Sequence, residues 1–308
     1  MHMIRPKPLR PGDTVAMIGV SGCVHQEDPR PTVDEAEALL TSLGFRVKVD
    51  PTCAEQYGFL SGTDRERADA LNRAFADPSV DGVWCLKGGY GVTRMLPLVD
   101  WDLIASHPKA FIGFSDITAL HMALHQRCSL ETFHGPMPSG GRITEASRPS
   151  LLAALAGEPE KTWSNLNGES LYSLRPGTAE GILVGGNLSL LAAGCGTPWD
   201  LDTTDKLLFI EEVGEHTYRV DEFLWQLQHA GKLDACRGIV LGGFTEITEE
   251  YPHSHCFSLE EILGQMAGRV RVPVLAGLQA GHTGDQKTLC LGRRYRLDAD
   301  RCALTILD

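Results

Sequence analysis

Gly82-Val-Trp-Cys-Leu-Lys-Gly-Gly-Tyr-Gly91 is a short apolar run that breaks at paired glycines, and helix-forming sequence resumes at about Val92. The run reads as a buried strand, the glycines as a turn and the continuation as a helix. The same grammar holds on both sides of it. Thr14-Val-Ala-Met-Ile-Gly-Val20 reads as a strand ending in Ser21-Gly22, and Pro31 to Gly44 as a helix with Pro near its start and Gly at its end. Arg46-Val-Lys-Val49 is a short strand, Thr63 to Ala76 a helix, Phe111 to Phe114 a strand and Asp116 to Gln126 a helix. Such alternation implies parallel βαβ units with right-handed crossovers.

The pattern changes further on. Residues 157–178 are polar and poor in helix signals, with Asn165-Leu-Asn-Gly-Glu-Ser170 at their centre, and a linker is expected over 161–177. Beyond it, Gly181 to Val184, Leu207 to Ile210, Gly238 to Leu241 and Val272 to Ala276 read as strands, and Tyr218 to His229 and Ser258 to Gly268 as helices. The tail from Lys287 to Leu307 alternates apolar and polar residues, which predicts antiparallel strands. The expected architecture is therefore α/β in two domains. Residues 1–160 form a flavodoxin-like parallel sheet flanked by helices, and residues 178–308 form a smaller mixed α+β or barrel-like domain.

Composition narrows the function. A net charge of -12 argues against a nucleic-acid surface, which needs clustered Lys and Arg. No segment approaches the roughly 20 uninterrupted apolar residues of a membrane span. The first ten residues carry positive charge without an apolar core, so no secretion signal is expected. Nine scattered cysteines with no Cys-x-x-Cys spacing read as reduced thiols in a cytoplasmic protein.

Three residues at apolar run ends carry the chemistry worth testing. Ser115 stands in Phe111-Ile-Gly-Phe-Ser-Asp-Ile-Thr118, either as a helix N-cap or as a nucleophile held out at a strand-to-helix turn. The second glycine of Gly-x-Ser-x-Gly is absent, with Ile117 in its place, so this is not the ordinary α/β-hydrolase elbow. Glu211 and Glu212 close an apolar strand, either solvated or with one acid orienting an imidazole. His282, between Gly281 and Thr283, is a loop histidine that is structural or a general base. Gly88-Gly-Tyr-Gly91 can expose successive N–H donors to a phosphate or an oxyanion, or serve as a plain tight turn. It lacks the lysine and hydroxyl of a phosphate loop. His253, His255 and Cys256 resemble metal ligands but have no second spaced pair, so no metal is expected.

Taken in order, the motifs carry a resemblance over nearly the whole chain. Leu9-Arg-Pro-Gly-Asp-Thr-Val15, Lys87-Gly-Gly-Tyr-Gly91, Gly113-Phe-Ser-Asp-Ile-Thr118 and Phe133-His-Gly-Pro136 cover the first half. Gly185-Gly-Asn-Leu188, Gly196-Thr-Pro-Trp199, Ile210-Glu-Glu-Val-Gly-Glu215, Tyr218-Arg219 and Gly281-His282 cover the second. Together they resemble the LD-carboxypeptidase family, the muramoyltetrapeptide carboxypeptidases. The resemblance implies Ser115 as nucleophile, His282 as base and Glu211 as orienting acid, with an oxyanion hole from backbone N–H groups near Gly89 and Asp116. It also implies a site between the domains, and a cytoplasmic homodimer without metal or organic cofactor. The implied reaction removes a terminal D-Ala from an L-centre (L-Lys or meso-diaminopimelate) in muropeptide tetrapeptides during peptidoglycan recycling. Lys87, Gly88 and Tyr90 are candidates to touch substrate, and Lys87 with Arg94 to meet its carboxylate. Lys87 departs from the family's usual Arg, exchanging a bidentate fork for a point charge. Ile18-Gly-Val-Ser21 also departs from the usual Ala-Pro-Ser type. Two other functions fit parts of the pattern. A microcin C immunity-like hydrolase of aminoacyl-adenylate analogues needs a base-stacking aromatic, for which Trp199 or Tyr90 would serve. A two-lobed small-molecule binding protein would bind without turnover.

Overall fold

A computed structural model describes residues 3–249 and 256–307. The chain divides into two compact units, residues 1–159 with 288–290, and residues 160–287 with 291–308.

The first unit is built on a six-stranded sheet. Five of its strands are β1 (Thr14–Ile18), β2 (Arg46–Val49), β3 (Gly82–Cys85), β4 (Ala110–Gly113) and β5 (Thr132–His134), and the sixth comes from the end of the chain. Their spatial order is β2-β1-β3-β4-β5, and every neighbouring pair is parallel. That is the flavodoxin-like order, in which reactive loops gather at the carboxyl ends of β1, β3 and β4. Every residue of β1, β3 and β4 is buried, as continuous apolar runs covered on both faces must be. Trp84 is wholly buried, and its indole N–H finds the Pro136 carbonyl at 3.1 Å.

The helices follow local signals. Arg30–Ser42 starts with Pro31 in its first turn, and Asp64–Ala76 starts on a capping box in which Thr63 and Glu66 satisfy each other's backbone N–H. After β4 the chain makes a tight turn over Ser115–Ile117 before the helix Thr118–Cys128, two residues later than the spacing predicts.

The second unit carries β6 (Tyr172–Arg175), β7 (Thr178–Asn187), β8 (Leu207–Val213), β9 (Gly238–Thr245) and β10 (Val274–Ala276). After them come β11 (Leu289–Leu291), which lies at the edge of the first unit's sheet beside β5, and then β12 (Arg294–Asp298) and β13 (Ala303–Ile306). The second sheet is mixed: β7, β8, β9 and β10 are parallel, while β6, β12 and β13 pair antiparallel at its flanks. The segment expected as a linker, 161–177, lies in this unit and supplies the edge strand β6. The polar pattern there reflects an edge strand whose residues are half-buried or exposed. All nine cysteines are free thiols. Among the described residues no helix is long and apolar enough to cross a membrane.

One buried group makes the first unit sensitive to acid. His121 is 2% exposed, with Nε2 2.9 Å from the Gly113 carbonyl and Nδ1 2.8 Å from the Thr132 hydroxyl. The carbonyl can only accept, so Nε2 carries the proton and the hydroxyl donates to Nδ1. Burial pushes the imidazole pKa down from 6.5 to about 4, against the pull of the Gly113 carbonyl. Below pH 6.5 the unfolded chain binds a proton that the folded chain refuses, so stability present above that pH is lost as pH falls toward 4. The full shift corresponds to roughly 3 kcal/mol. Urea midpoints at pH 7 and pH 4.5 should therefore converge in His121→Gln relative to wild type; equal pH slopes would remove His121 from the account.

Candidate active site

Ser115 follows β4 with φ +66, one of five non-glycine residues in the left-handed region among the described residues. A β-carbon in that region is strained by about 1 kcal/mol or more, and the surrounding structure must hold it there. The plain N-cap role is not what it does. The following helix begins from Ile117, which has helical backbone angles and no capping side chain.

The glycine turn after β3 explains the strained seat. A β-carbon on Gly88 would lie 2.9 Å from Ser115 Cβ and 3.1 Å from its Oγ. Gly88 is thus needed because its bare backbone rests against the serine. Gly89 and Gly91 follow with φ +134 and +113, so the turn is the strongly bent loop the paired glycines predict. Tyr90 projects outward, 54% exposed, with its ring edge-on to Phe59 at 5.5 Å.

A buried polar network fixes this loop to the serine turn. Asp116 Oδ2 accepts from Ser21 Oγ at 2.6 Å and from the Val92 backbone N–H at 3.0 Å. Burial pushes the Asp116 carboxyl up, opposed by these donors and by the charge of Arg67. Arg67 is itself fully buried. It donates to the Val20 carbonyl at 2.8 Å and the Gly91 carbonyl at 2.9 Å, and pairs with Asp64 at 2.6 Å. The exits of β1, β3 and β4 are therefore held together by Ser21, Asp116 and Arg67. Sequence reasoning missed Ser21 and Arg67 in this role. The one available signal was an arginine on the helical face that also carries Ala68 and Leu71.

The two cations separate. Arg94, expected near a substrate carboxylate, is instead forked onto Asp64, with Nε at 3.0 Å and Nη2 at 3.1 Å. Lys87 stays close to the glycine turn, its Nζ donating to the Cys23 carbonyl at 2.7 Å.

In the second unit, Glu211 is wholly buried on β8, and His282 Nδ1 lies 2.7 Å from its Oε2. The same oxygen accepts the His282 backbone N–H at 3.2 Å. A carboxylate facing Nδ1 takes the N–H there, which leaves the lone pair on Nε2 and makes the imidazole a base at that atom. The neighbouring acid does a different job. Glu212 accepts from Asn187 Nδ2 and the Ser189 backbone N–H, both at 2.7 Å, and so anchors the start of the helix Leu188–Gly194. Burial raises its carboxyl pKa. Two adjacent acids serve opposite sides because strand residues alternate, and the β8–β9 register shifts between Ile210 and Glu212. Gly281, with φ +92, gives the close approach: a β-carbon there would sit 2.5 Å from Glu211 Oε2.

Ser115, Gly88, Gly89 and Asp116 are thus gathered in the first unit, and Glu211 with His282 in the second. Trp199 is half-buried in the second unit and Tyr90 lies in the first. His253 and His255 lie outside the described residues, among which no cluster of three or more metal-ligating side chains occurs.

Comparison with known proteins bears on this geometry. Residues 15–135 match the LD-carboxypeptidase N-terminal domain and residues 180–297 the LD-carboxypeptidase C-terminal domain. The chain belongs to the LD-carboxypeptidase family. It is 39% identical over 297 residues to a probable murein peptide carboxypeptidase of Bacillus subtilis, covering 96% of this chain and 91% of that protein. The muramoyltetrapeptide carboxypeptidase from Oxalobacter formigenes superimposes with a TM-score of 0.83 at 30% identity, over 96% of this chain and 99% of that one. The same fold, with a TM-score of 0.87 at 23% identity over 98% of both chains, occurs in MccF in complex with glutamyl sulfamoyl guanosine. Family membership places this chain among the peptidases.

Proposed function

We propose that this protein is a serine LD-carboxypeptidase that releases terminal D-Ala from muropeptide tetrapeptides, cleaving the amide to L-Lys or meso-diaminopimelate. The observation that carries the reading is the 2.7 Å contact between buried Glu211 and His282 Nδ1, which prepares a base at Nε2. His282 takes the Ser115 proton, and Oγ attacks the scissile carbonyl. Backbone N–H groups of Gly89 and Asp116 hold the oxyanion, each donor contributing about 3 kcal/mol at the barrier. His282 then gives the proton to the departing amine of D-Ala, and water, activated by the same imidazole, hydrolyses the acyl-serine. Lys87, Gly88 and Tyr90 border the substrate. No step draws on a metal or organic cofactor. A cytoplasmic homodimer acting in peptidoglycan recycling is the setting this activity suits.

A second reading rests on the fold shared with MccF: hydrolysis of aminoacyl-nucleotide analogues by the same residues. The two are separated by one comparison. With the purified protein, kcat/KM for D-Ala release from a cell-wall tetrapeptide should exceed that for hydrolysis of glutamyl sulfamoyl adenosine by about a hundredfold or more. The reverse ratio establishes the second reading. Tight binding of either compound without turnover would make the protein a binding protein and sink both.

A further inference from the structure

A cleft of about 560 Å³ opens in the first unit beside the glycine turn. Val24, His25, Leu39, Lys87, Ser139 and Gly140 are among its lining residues, drawn from the loop after β1, the helix Arg30–Ser42, the exit of β3 and the turn at 138–141. Lys87 is its cation. An ammonium has three N–H donors, and one goes to the Cys23 carbonyl. Among the described residues no other protein acceptor and no ion-pairing carboxylate meets Lys87 Nζ. Other sequestered cations are provided for. Arg67 pairs with Asp64, Lys287 pairs with Glu160, and Lys109 is held by the Ala74 and Asp77 carbonyls. Burial lowers the Lys87 pKa, the sign of a charge drawn partly out of water. Glu35 also lines the cleft but forms no ion pair with Lys87.

The position gives this cation a task. Lys87 directly precedes Gly88, whose backbone rests on Ser115. A β-carbon on Gly22 would lie 3.6 Å from Lys87 Nζ and 3.2 Å from the Gly88 carbonyl oxygen, so the ammonium lies along the backbone that packs on the glycine turn. A half-buried cation lacking a protein counter-ion, a residue away from the oxyanion loop, suits an anionic group brought by a substrate.

We propose that this cleft is a carboxylate subsite of the reaction centre, with the Lys87 ammonium as counter-ion to a free carboxylate of the substrate. The proposal rests on the serine carboxypeptidase reading and deepens it. Two carboxylates offer the same chemistry: the terminal one on the leaving residue, and a side-chain one on the acyl side.

The test is calorimetric binding to the Ser115→Ala protein, with Lys87 intact or replaced by Met or Arg. The ligands are N-acetyl-L-Lys-D-Ala, its C-terminal amide, and N-acetyl-meso-diaminopimelyl-D-Ala. Lys87→Met should weaken binding of the recognised carboxylate ligand about tenfold or more, and Lys87→Arg should restore most of it. If Lys87→Met erases the preference for acid over amide, the terminal carboxylate is the one held. If it erases the preference for the diaminopimelyl ligand over the lysyl one, the acyl-side carboxylate is held. Equal weakening of all three ligands, weakening of none, or binding of none by the Lys87 protein overturns the subsite. Release of D-Ala by the protein with Ser115 intact is read separately. Carboxylate binding through Lys87 without D-Ala release would sink the serine reading and leave the subsite standing.

Discussion

Ser115→Ala protein is expected to release D-Ala from the tetrapeptide at least about a thousandfold more slowly than wild type, with its fold retained. Loss of a nucleophile leaves only the rate supplied by binding and oxyanion donors, which is why such variants fall by several powers of ten. The fold should survive because the change removes one hydroxyl from a half-buried side chain. The backbone gives a second, independent readout. Ser115 sits at φ +66, where alanine stays strained and glycine does not. Ser115→Gly should therefore be more stable than Ser115→Ala by about 1 kcal/mol in urea titrations, although both are inactive. Activity above a tenth of wild type in either variant would end the nucleophile assignment. Equal stability of the two would mean that the left-handed seat holds no strain.

Gly281→Ala should cost about a hundredfold to ten-thousandfold in kcat for a residue that need not touch substrate. A β-carbon there would sit 2.5 Å from Glu211 Oε2 and 2.6 Å from its Cγ, and φ is +92. Either the carboxylate swings away or the loop moves, and both break the 2.7 Å contact to His282 Nδ1. Without that partner the imidazole loses the bond that selects its tautomer, and the base at Nε2 is no longer prepared. The loss belongs in kcat rather than KM, because what is lost is a proton acceptor and not a binding contact. A strongly downfield Nδ1 proton in the NMR spectrum of wild type should disappear in the variant. A kcat within threefold of wild type, or a persisting downfield proton, would show that the Glu211–His282 contact does not set the rate.

Much of this was legible in the chain. Alternating apolar strands and amphipathic helices through residue 128 specify parallel crossover units, because both faces of such strands must be covered. The motif order carried the family. Local sequence also marked Ser115 and Glu211 as sitting at or near strand ends, where an open sheet leaves its crevice. Other features were out of reach. The alternation in the tail predicts antiparallel strands, and β12 and β13 pair that way in the second unit, but nothing in it places β11 at the edge of the first unit's sheet. Pairing partners of a three-residue strand are chosen by whichever edge lies open, and its own composition does not encode that. Arg94 looked like a carboxylate ligand by proximity to the glycine turn. Its fork goes to Asp64, 30 residues back in the chain, since a guanidinium takes the nearest well-oriented carboxylate.

By itself, then, the sequence determined the element order and the glycine turns, because these follow from periodicity and backbone freedom within a few residues, and its motif order marked the candidate side chains. Tertiary structure alone decided their company. It brought His282 to Glu211 across 71 residues, set Ser21 and Arg67 around Asp116 and the glycine turn, and left Lys87 donating to the Cys23 carbonyl with no carboxylate paired to it among the described residues. Hydrogen bonds and ion pairs form between groups that the fold makes neighbours, and no local pattern announces which distant residue that will be.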